Sequence, residues 1–550
     1  MRADPGLDDP IDLEIRWTRL VTIMDEVDAA VARTSFSTIV GESRDFGVVM
    51  LDPHGRSLAQ SQLSTPAFTI TLPLTAKHLL AAIPAATLEP GDVLITNDPW
   101  LGSGHLPDLT ICTPVFHRGR LAGFIGCVAH ISDIGGRADY LDDKDLFEEG
   151  LRIPPTFLVR RGEPVDLLFR MIEANVRVPR LVIGDIHALL GAERLGAARL
   201  VEFLDDYGME TLDPIADVIL ARSERAMAAA VRALPDGTWR AAVDADGHRR
   251  PVHIEVAVTV AGERITVDFE GSSPEQTDTS INCVMNTTFS DAYYPFKCSL
   301  LPHLPNNEGL TRFLAVKAPE GSIFNTRFPR AVRARSKSSF HIHTAIYAAL
   351  ADVLGPTAQA GSGSFWTLVA SGTTAEGEGF RAHMLPNGGK GALAGTDGLP
   401  TIAFPYNGMI TPVEIFENNA PVLITRRALI PDSGGAGTRR GGLGQSLVFT
   451  PSTDAPVQVF VRPDKLRFPP PGLAGGLPGR AGEILLNGVP CPPEPVTLAR
   501  GDTLELRMPG GGGVGDPAGR DPALLAADVE AGLVGADAAR TLYRPTSSER

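Results

Sequence analysis

The chain has 550 residues, and at roughly 150 residues per domain this length predicts three or four packing units. Its 50 basic and 65 acidic residues leave a net charge of −15, which excludes electrostatic attraction to nucleic acid or to an anionic membrane as its main function. Glycine and proline are frequent, with 57 and 45 residues, and this composition favours many turns and short strands.

The cysteines and the first residues indicate the compartment. The five cysteines lie scattered without a CxxC pair, as is typical of reduced thiols in a cytoplasmic protein: Cys112, Cys127, Cys283, Cys298 and Cys491. The start, MRADPGLDDP, is acidic and lacks the apolar segment of a signal peptide. No apolar run approaches the ~18–20 residues that a membrane span needs. We therefore expect a cytoplasmic protein without a membrane partner.

The first predicted elements are a helix followed by strands. Residues 12–33 form the helix, because apolar residues recur three and four apart there: Leu13, Trp17, Leu20, Met24, Val27 and Val31. A strand follows in FGVVML, and LEPGDVLITNDPW predicts a turn, a buried strand and a polar loop. The run PVFHRGRLAGFIGCVAHISDIGG predicts a hairpin that turns at Arg118–Gly119 and places His130 near a strand end.

The remaining elements predict a mixed α+β, multi-domain chain. Residues 165–232 indicate helices with a break at Pro179, and the turn LPDGTW follows them. The strands HIEVAVTV and RITVDFEG are joined by a turn at Ala261–Gly262. We expect three parts: a helical N-terminal part at 1–233, a mixed middle part at 234–430, and a β-rich part at 431–550 with a short helical tail.

The densest group of chemistry-bearing residues lies between 97 and 133. His105 and Asp108 lie three apart in a loop rich in glycine and proline, and His130 and Asp133 repeat this spacing. Two imidazole nitrogens and a carboxylate suit a divalent transition metal such as zinc, manganese or iron. Asp45 is a candidate fourth ligand, and Asp133 is expected to orient His130 rather than to bind the metal. Water at the remaining positions would become more acidic.

The same spacing has a purely structural alternative. Paired H-x-x-D spacings arise by chance, and an aspartate after a proline commonly forms a turn.

Other candidate groups carry weaker signals. The segment GGAGTRRGGLG could bind an anion through free amides beside Arg439 and Arg440, or it could simply form tight turns. His341 and His343 in FHIH are expected to be strand neighbours that face the same side, in a structural role. The sequence has no GxxxxGK[ST] phosphate loop, so it shows no recognisable ATP-binding motif. It also lacks a G-x-S-x-G elbow, so a serine hydrolase is not supported.

Taken together, these residues resemble the hydantoinase B family, the metal-bearing subunits of ATP-dependent hydantoinases, lactamases, oxoprolinases and acetone-type carboxylases. The matching segments run in order over nearly the whole chain. They include RTSFSTIVGESRDF, GDVLITNDPWLGSGHLPDLTICTPVF, AHISDIGGR, EEGLRIPP, EANVRVPRLVIGDI, LPDGTW, PNNEGL, APEGSIFN, NGMITPVEIFE, PDSGGAGTRRGGLG and PGGGGVGDP.

The resemblance implies a metal held by Asp45, His105, Asp108 and His130 in the N-terminal part. It also implies a separate, hydantoinase A-like partner subunit that binds ATP and phosphorylates the substrate. The leading hypothesis is then the metal-dependent subunit of an ATP-dependent cyclic-amide hydrolase that opens a hydantoin, 5-oxoproline or lactam ring. Under this hypothesis, Gly434, Gly435 and Arg439 would contact phosphate or carboxylate.

Two alternatives remain open. The same motifs occur in the large subunit of acetone-type ketone carboxylases, whose substrate is a ketone. A non-catalytic scaffold subunit is suggested by two departures from the family pattern: Phe68 stands about where relatives carry a histidine, and RARSKSSFHIHTAI brings His341 and His343.

Overall fold

The structure is a computed structural model that describes residues 7, 9–137, 140–374, 377–402 and 404–543. Its helices are α1 Pro10–Thr34, α2 Thr38–Gly41, α3 Pro66–Ala82, α4 Leu146–Glu149, α5 Asp166–Asn175, α6 Pro179–Asp206, α7 Asp213–Arg232, α8 Met285–Leu300, α9 Ser336–Ala349, α10 Ala351–Leu354, α11 Val413–Asn419, α12 Pro522–Glu530 and α13 Ala536–Thr541.

In the described ranges, twenty strands accompany these helices, so the expected mixed α+β class is confirmed. They are β1 Phe46–Leu51, β2 Ser57–Gln60, β3 Val93–Thr96, β4 Asp108–His117, β5 Arg120–His130, β6 Thr156–Arg160, β7 Glu163–Pro164, β8 Gly237–Ala245, β9 Val252–Ala261, β10 Arg264–Asp268, β11 Leu314–Lys317, β12 Thr367–Thr373, β13 Gly379–Met384, β14 Val422–Leu429, β15 Gln445–Pro451, β16 Val457–Arg462, β17 Glu483–Leu486, β18 Val489–Pro490, β19 Val496–Leu498 and β20 Leu504–Arg507.

The chain forms two compact units, each built from three segments that are not consecutive in the sequence. Unit 1 comprises residues 1–238, 259–270 and 274–339, and unit 2 comprises 239–258, 271–273 and 340–550. The three consecutive parts expected from the sequence differ from this arrangement. The boundary expected at 233 lies five residues before the chain leaves unit 1, whereas no boundary between the units lies near 430.

Unit 1 is built on a seven-stranded antiparallel sheet in the order β2-β1-β5-β4-β3-β6-β7. One face carries Phe124 and Gly126 of β5 and packs against α3. Because Gly126 has no side chain, Leu72 of α3 can lie directly against it. The other face carries Ile125 and packs against α6 and α1, close to Gly196 and Val27. Both faces of the central strands are therefore covered, which explains why β1 is buried along its whole length.

Unit 2 contains two antiparallel sheets, ordered β13-β12-β16-β19 and β14-β15-β20-β17-β18. Trp366 at the start of the first sheet and Phe449 of the second belong to one apolar cluster, which also includes Phe416 of α11. Burial of these aromatic side chains contributes to the stability of this unit.

Glycine-rich segments of unit 2 pack backbone against backbone. The amide of Gly435 donates to the carbonyl of Gly511 at 2.8 Å, and that of Gly442 donates to Lys390 at 2.8 Å. A Cβ on Gly441 would lie 1.9 Å from the carbonyl oxygen of Gly511, so a side chain has no room there. These segments form a hydrogen-bonded array that includes the turn at Pro431–Asp432, and anion binding there stays a prediction.

Most predicted elements of unit 1 agree with the structure. The helix expected at 12–33 is α1, and the hairpin expected to turn at Arg118–Gly119 is formed by β4 and β5. The helical block breaks before Pro179, as expected. Among the described residues, no helix combines the length and the apolar character that crossing a bilayer requires.

Candidate metal site

The open end of the β4–β5 hairpin brings two predicted ligands together. Asp108 begins β4 and is paired directly with His130, the last residue of β5. Directly opposed residues in an antiparallel pair have Cβ atoms about 4.5–5.5 Å apart, so their side chains meet. Asp108 and His130 lie 22 residues apart in the sequence, so their spacing alone does not show that they meet. The register of the hairpin brings their side chains together.

His105 reaches the same point from the loop before β4. Its Nε2 lies 2.6 Å from Asp108 Oδ1 and 3.2 Å from His130 Nδ1. His130 Nδ1 lies 3.1 Å from the same carboxylate oxygen. Three potential ligand atoms thus lie within 4.8 Å of one another, and this spacing fits a single metal ion.

The protonation state of His105 strengthens this fit. Its Nδ1–H donates to the carbonyl oxygen of Arg333 at 2.9 Å, because a carbonyl can only accept. Burial, together with the charge of Arg335, lowers the pKa of His105 to about 3, so the ring is neutral and Nε2 carries a lone pair. That lone pair faces the oxygen of Asp108 at 2.6 Å, an arrangement that a shared cation would stabilise.

Asp108 is ionised although it is almost completely buried. Burial alone would raise the pKa of its carboxyl group, but the Arg335 guanidinium holds this pKa well below its usual range. Arg335 Nη2 donates to Asp108 Oδ2 at 2.7 Å, which leaves Oδ1 for the two imidazoles. The carboxylate thus offers one oxygen to a metal and the other to a permanent counter-charge.

Exposure differs among the three candidate ligands. His105 and Asp108 are buried, whereas the His130 side chain is 22% exposed. The group is therefore accessible from one side, as a catalytic metal site with an exchangeable position must be.

Gly104 is needed for the loop to carry His105 into the site. Its φ is +96°, in the region that favours glycine, and a Cβ there would lie 2.0 Å from Thr287 Oγ1 and 3.0 Å from Arg335 Cδ. The glycine therefore allows both the turn and the close approach of Arg335.

Asp45, the fourth expected ligand, lies beside this group through its backbone. It precedes β1, and its carbonyl accepts the His130 N–H at 3.0 Å. Its carboxylate is not in the group of three whose ligand atoms lie within 4.8 Å of one another. A metal-binding role for Asp45 therefore stays a prediction.

Asp133 differs from the role expected for it. The Arg177 guanidinium donates to its Oδ1 at 2.8 Å, the Arg177 amide donates to Oδ2, and the Gly135 amide donates to Oδ1 at 3.3 Å. His130 is not among its partners in the described part of the chain. Asp133 thus anchors the segment around Arg177, because both of its carboxylate oxygens are engaged there.

The two weaker groups of unit 2 also differ from expectation. His341 and His343 lie in helix α9 rather than in a strand, so a spacing of two places them on different sides of the backbone. His341 Nε2 lies 3.1 Å from Asp464, and Lys465 Nζ donates to His341 Nδ1 at 3.3 Å. The amides of Gly435 and Arg439 donate to the carbonyls of Gly511 at 2.8 Å and of Val514 at 3.0 Å, so neither amide is free, and an anion contact of the Arg439 guanidinium stays a prediction.

The sequence did not point to the residues that surround the ligands. Arg333 and Arg335 come from a segment more than 200 residues further along the chain, and Glu149 from α4 holds that segment. The only available signal was the charged run RARSK, which is equally typical of a solvated surface.

Comparison with known proteins gives a consistent family. The family described as Hydantoinase B/oxoprolinase matches residues 9–517. One subunit of a putative D-/L-hydantoinase from Pseudomonas sp. (strain NS671) is 30% identical over 98% of this chain and 96% of its own length. The chain is also similar to the crystal structure of ATP-dependent caprolactamase from Pseudomonas jessenii, with a TM-score of 0.87 and 28% identity over 97% of this chain and 96% of that one.

A more distant similarity concerns the fold alone. The nucleotide-free structure of acetone carboxylase has a TM-score of 0.85 at 21% identity, over 98% of this chain and 81% of that one. The fold is therefore shared by proteins named for hydrolysis and for carboxylation.

Proposed function

Since the chain belongs to the hydantoinase B/oxoprolinase family, we propose that it is the metal-dependent subunit of an ATP-dependent cyclic-amide hydrolase. Its substrate would be a hydantoin, 5-oxoproline or a lactam, and a separate hydantoinase A-like subunit would bind ATP. The hydantoinase relative is named as one subunit of its enzyme, which supports the need for a partner. The named caprolactamase supports a ring amide as the substrate and ATP as the energy source.

The observation that carries this proposal is the contact between His105 Nε2 and Asp108 Oδ1. Two lone pairs face each other at 2.6 Å, and His130 Nδ1 lies within 3.2 Å of both atoms. His105, Asp108 and His130 would hold a zinc, manganese or iron ion, with Asp45 as a further ligand. Bound there, the metal would supply Lewis acidity and an acidic water close to the amide carbon.

The residues of the chain prepare this chemistry in three ways. The carbonyl of Arg333 fixes the ring of His105 by accepting its Nδ1–H at 2.9 Å. The guanidinium of Arg335 keeps Asp108 ionised and therefore able to bind a cation. The partial exposure of His130 leaves a side from which the substrate can approach.

ATP has a clear chemical purpose in this proposal. An amide carbon resists attack by water because its leaving group is poor, and phosphorylation of the carbonyl oxygen by the partner subunit makes the carbon more electrophilic. The metal-binding subunit would then direct water to that carbon and stabilise the charge that develops there. Turnover is thus expected to require both subunits.

A ketone carboxylase large subunit is the second candidate, because the acetone carboxylase fold is also similar to this chain. In that reaction the same site would hold the activated enol during capture of carbon dioxide. The higher identity with the hydantoinase and caprolactamase sequences favours the hydrolase. A scaffold without chemistry is disfavoured, because the chain retains all four proposed ligands, Asp45, His105, Asp108 and His130.

The test combines the purified chain with a hydantoinase A-like subunit and ATP. Hydantoin, 5-oxoproline and caprolactam are supplied as substrates, and acetone with bicarbonate forms a separate reaction. Ring opening coupled to ATP consumption is expected, together with its loss in Asp108→Ala and its retention in Asp205→Ala, a control at an exposed aspartate paired with His117. Ring opening without ATP or without the partner would contradict the coupled reaction, and full activity of Asp108→Ala would restore the scaffold hypothesis.

A further inference from the structure

A buried glutamate outside the ligand group holds the segment that supports it. Glu149 is the last residue of α4 and is completely buried. Its Oε1 accepts the backbone amides of Val332 and Arg333, both at 2.6 Å. One side-chain oxygen thus fixes two successive peptide groups in a chain segment 183 residues away.

The next peptide of that segment contacts His105. The carbonyl of Arg333 accepts the His105 Nδ1–H at 2.9 Å, and the amide of the same peptide, from Ala334, donates to the carbonyl of Ser280 at 2.9 Å. Glu149 holds the peptide before it. The direction of the Arg333 carbonyl, and with it the orientation of the His105 ring, therefore depends on Glu149.

The same segment delivers the counter-charge of Asp108. The amide of Arg335 donates to the carbonyl of Val332 at 3.0 Å, which closes a turn directly on the peptide that Glu149 holds. From this turn, the Arg335 guanidinium reaches Asp108 at 2.7 Å. The side chain of Arg333 packs back against α4, where its Nη1 donates to the carbonyl of Glu149 at 3.3 Å.

We propose that Glu149 is a positioning residue for the metal site, acting through the backbone of residues 332–335 on His105 and Arg335. This inference rests on the metal site of the proposed function and names a residue without which that site loses its geometry. Partners of this kind behind a metal ligand commonly change metal affinity about 10- to 100-fold when they are removed.

The chemistry of Glu149 indicates which substitution preserves this role. Its Oε2 has no hydrogen-bond partner among the described residues, and burial raises the pKa of its carboxyl group to about 8. A neutral side chain with one carbonyl oxygen is therefore sufficient to accept both amides. Glutamine has that oxygen in the same position, whereas alanine has none and aspartate is too short to reach both amides.

Glu193 offers a matched control within the same unit. It is also completely buried, and burial raises the pKa of its carboxyl group to about 8. One of its oxygens accepts the hydroxyl of Thr113 at 2.5 Å, away from the ligand group. Glu193→Ala therefore shows how the loss of any buried glutamate changes Co²⁺ binding, without a change in the contacts of His105 and Arg335.

The experiment titrates the metal-free full-length chain with Co²⁺ and records the dissociation constant and the visible absorption of the bound ion. Glu149→Ala and Glu149→Asp are expected to bind about 10- to 100-fold more weakly and to show an altered spectrum. Glu149→Gln and Glu193→Ala are expected to match the wild type in both. Glu149→Asp keeps the test decisive if Glu149→Ala does not fold.

The outcomes separate this inference from the proposed function. A wild type that binds no Co²⁺ would overturn the metal site and the role of Glu149 together. If the wild type binds Co²⁺, but Glu149→Ala and Glu149→Asp bind it equally tightly and with the same spectrum, only the role of Glu149 would be overturned. Equal weakening by Glu193→Ala would also overturn it, because the effect would then reflect general loss of stability.

Discussion

Arg335 and Asp108 form a buried ion pair between residues 227 positions apart, with Arg335 Nη2 donating to Asp108 Oδ2 at 2.7 Å. The aspartate is completely enclosed and the arginine nearly so. A buried carboxylate of this kind is stable only with an opposing charge, and this pair ties the segment before α9 to the start of β4.

Arg335→Met is expected to destabilise the metal-free chain by about 3–5 kcal/mol, because it leaves the Asp108 charge buried and unpaired. Arg120→Met is the control, since it removes an exposed pair with Glu210 and is expected to cost less than about 1 kcal/mol. The free energy of unfolding in urea measures both. Similar small losses in the two variants would show that Asp108 does not depend on Arg335.

Gly104→Ala and Gly119→Ala compare two glycines that both have positive φ, +96° and +77°. A Cβ on Gly119 meets nothing within 4 Å, so only the backbone strain of about 1–2 kcal/mol is expected there. A Cβ on Gly104 would collide with Thr287 and press on Arg335, so a larger loss of stability and weaker metal binding are expected. Equal effects in urea unfolding and in metal titration would contradict the close packing around His105.

The buried carboxyl group of Glu193 is expected to make the free energy of unfolding decrease as the pH rises. Burial raises its pKa from 4.5 to about 8, so between these values the unfolded chain loses a proton that the folded chain keeps. Stability therefore falls as the pH rises through this window, by up to about 1.4 kcal/mol per pH unit from this group. Glu193→Gln removes this contribution.

The measurement is urea unfolding of the wild type and of Glu193→Gln at several pH values from 5 to about 8. The stability of the variant relative to the wild type is expected to increase with pH. A constant difference would mean that Glu193 ionises in the folded chain as it does in the unfolded one.

Gly441→Ala and Gly395→Ala test the glycine-rich array of unit 2. A Cβ on Gly441 would lie 1.9 Å from a carbonyl oxygen of Gly511, whereas one on Gly395 meets nothing within 4 Å. Gly441→Ala is expected to prevent normal folding of unit 2, and Gly395→Ala is expected to be tolerated. Limited proteolysis reports the difference, and equal resistance of both variants would contradict the array.

The sequence placed His105, Asp108 and His130 in one candidate site because their positions follow from local rules, and their binding of a metal stays a prediction. Asp108 and His130 stand at the two ends of a hairpin whose turn at Arg118–Gly119 was recognisable, and the pairing register then brings them together. His105 lies only three residues before Asp108. The site could therefore be assembled from neighbouring elements, without knowledge of distant contacts.

The residues that support this group could not be predicted, because they lie far from it in the sequence. Glu149, Arg333 and Arg335 act through contacts across 183 to 228 residues, and no periodicity in the sequence reports such contacts. The strand predicted at FHIH is wrong because helix α9 is buried on nearly all sides. Polar residues of α9 such as Lys337, His341 and His343 are buried, so its apolar residues show no clear 3.6-residue pattern and the alternation in FHIH suggested a strand.

Metal binding by His105 can be measured directly by elemental analysis of the purified chain beside His105→Ala. His117→Ala is the control, because His117 also pairs with an aspartate but at the other end of the same hairpin. We expect about one equivalent of zinc, manganese or iron in the wild type and in His117→Ala, and its loss in His105→Ala. A wild type that is free of metal and also refuses added zinc, manganese and iron would contradict it.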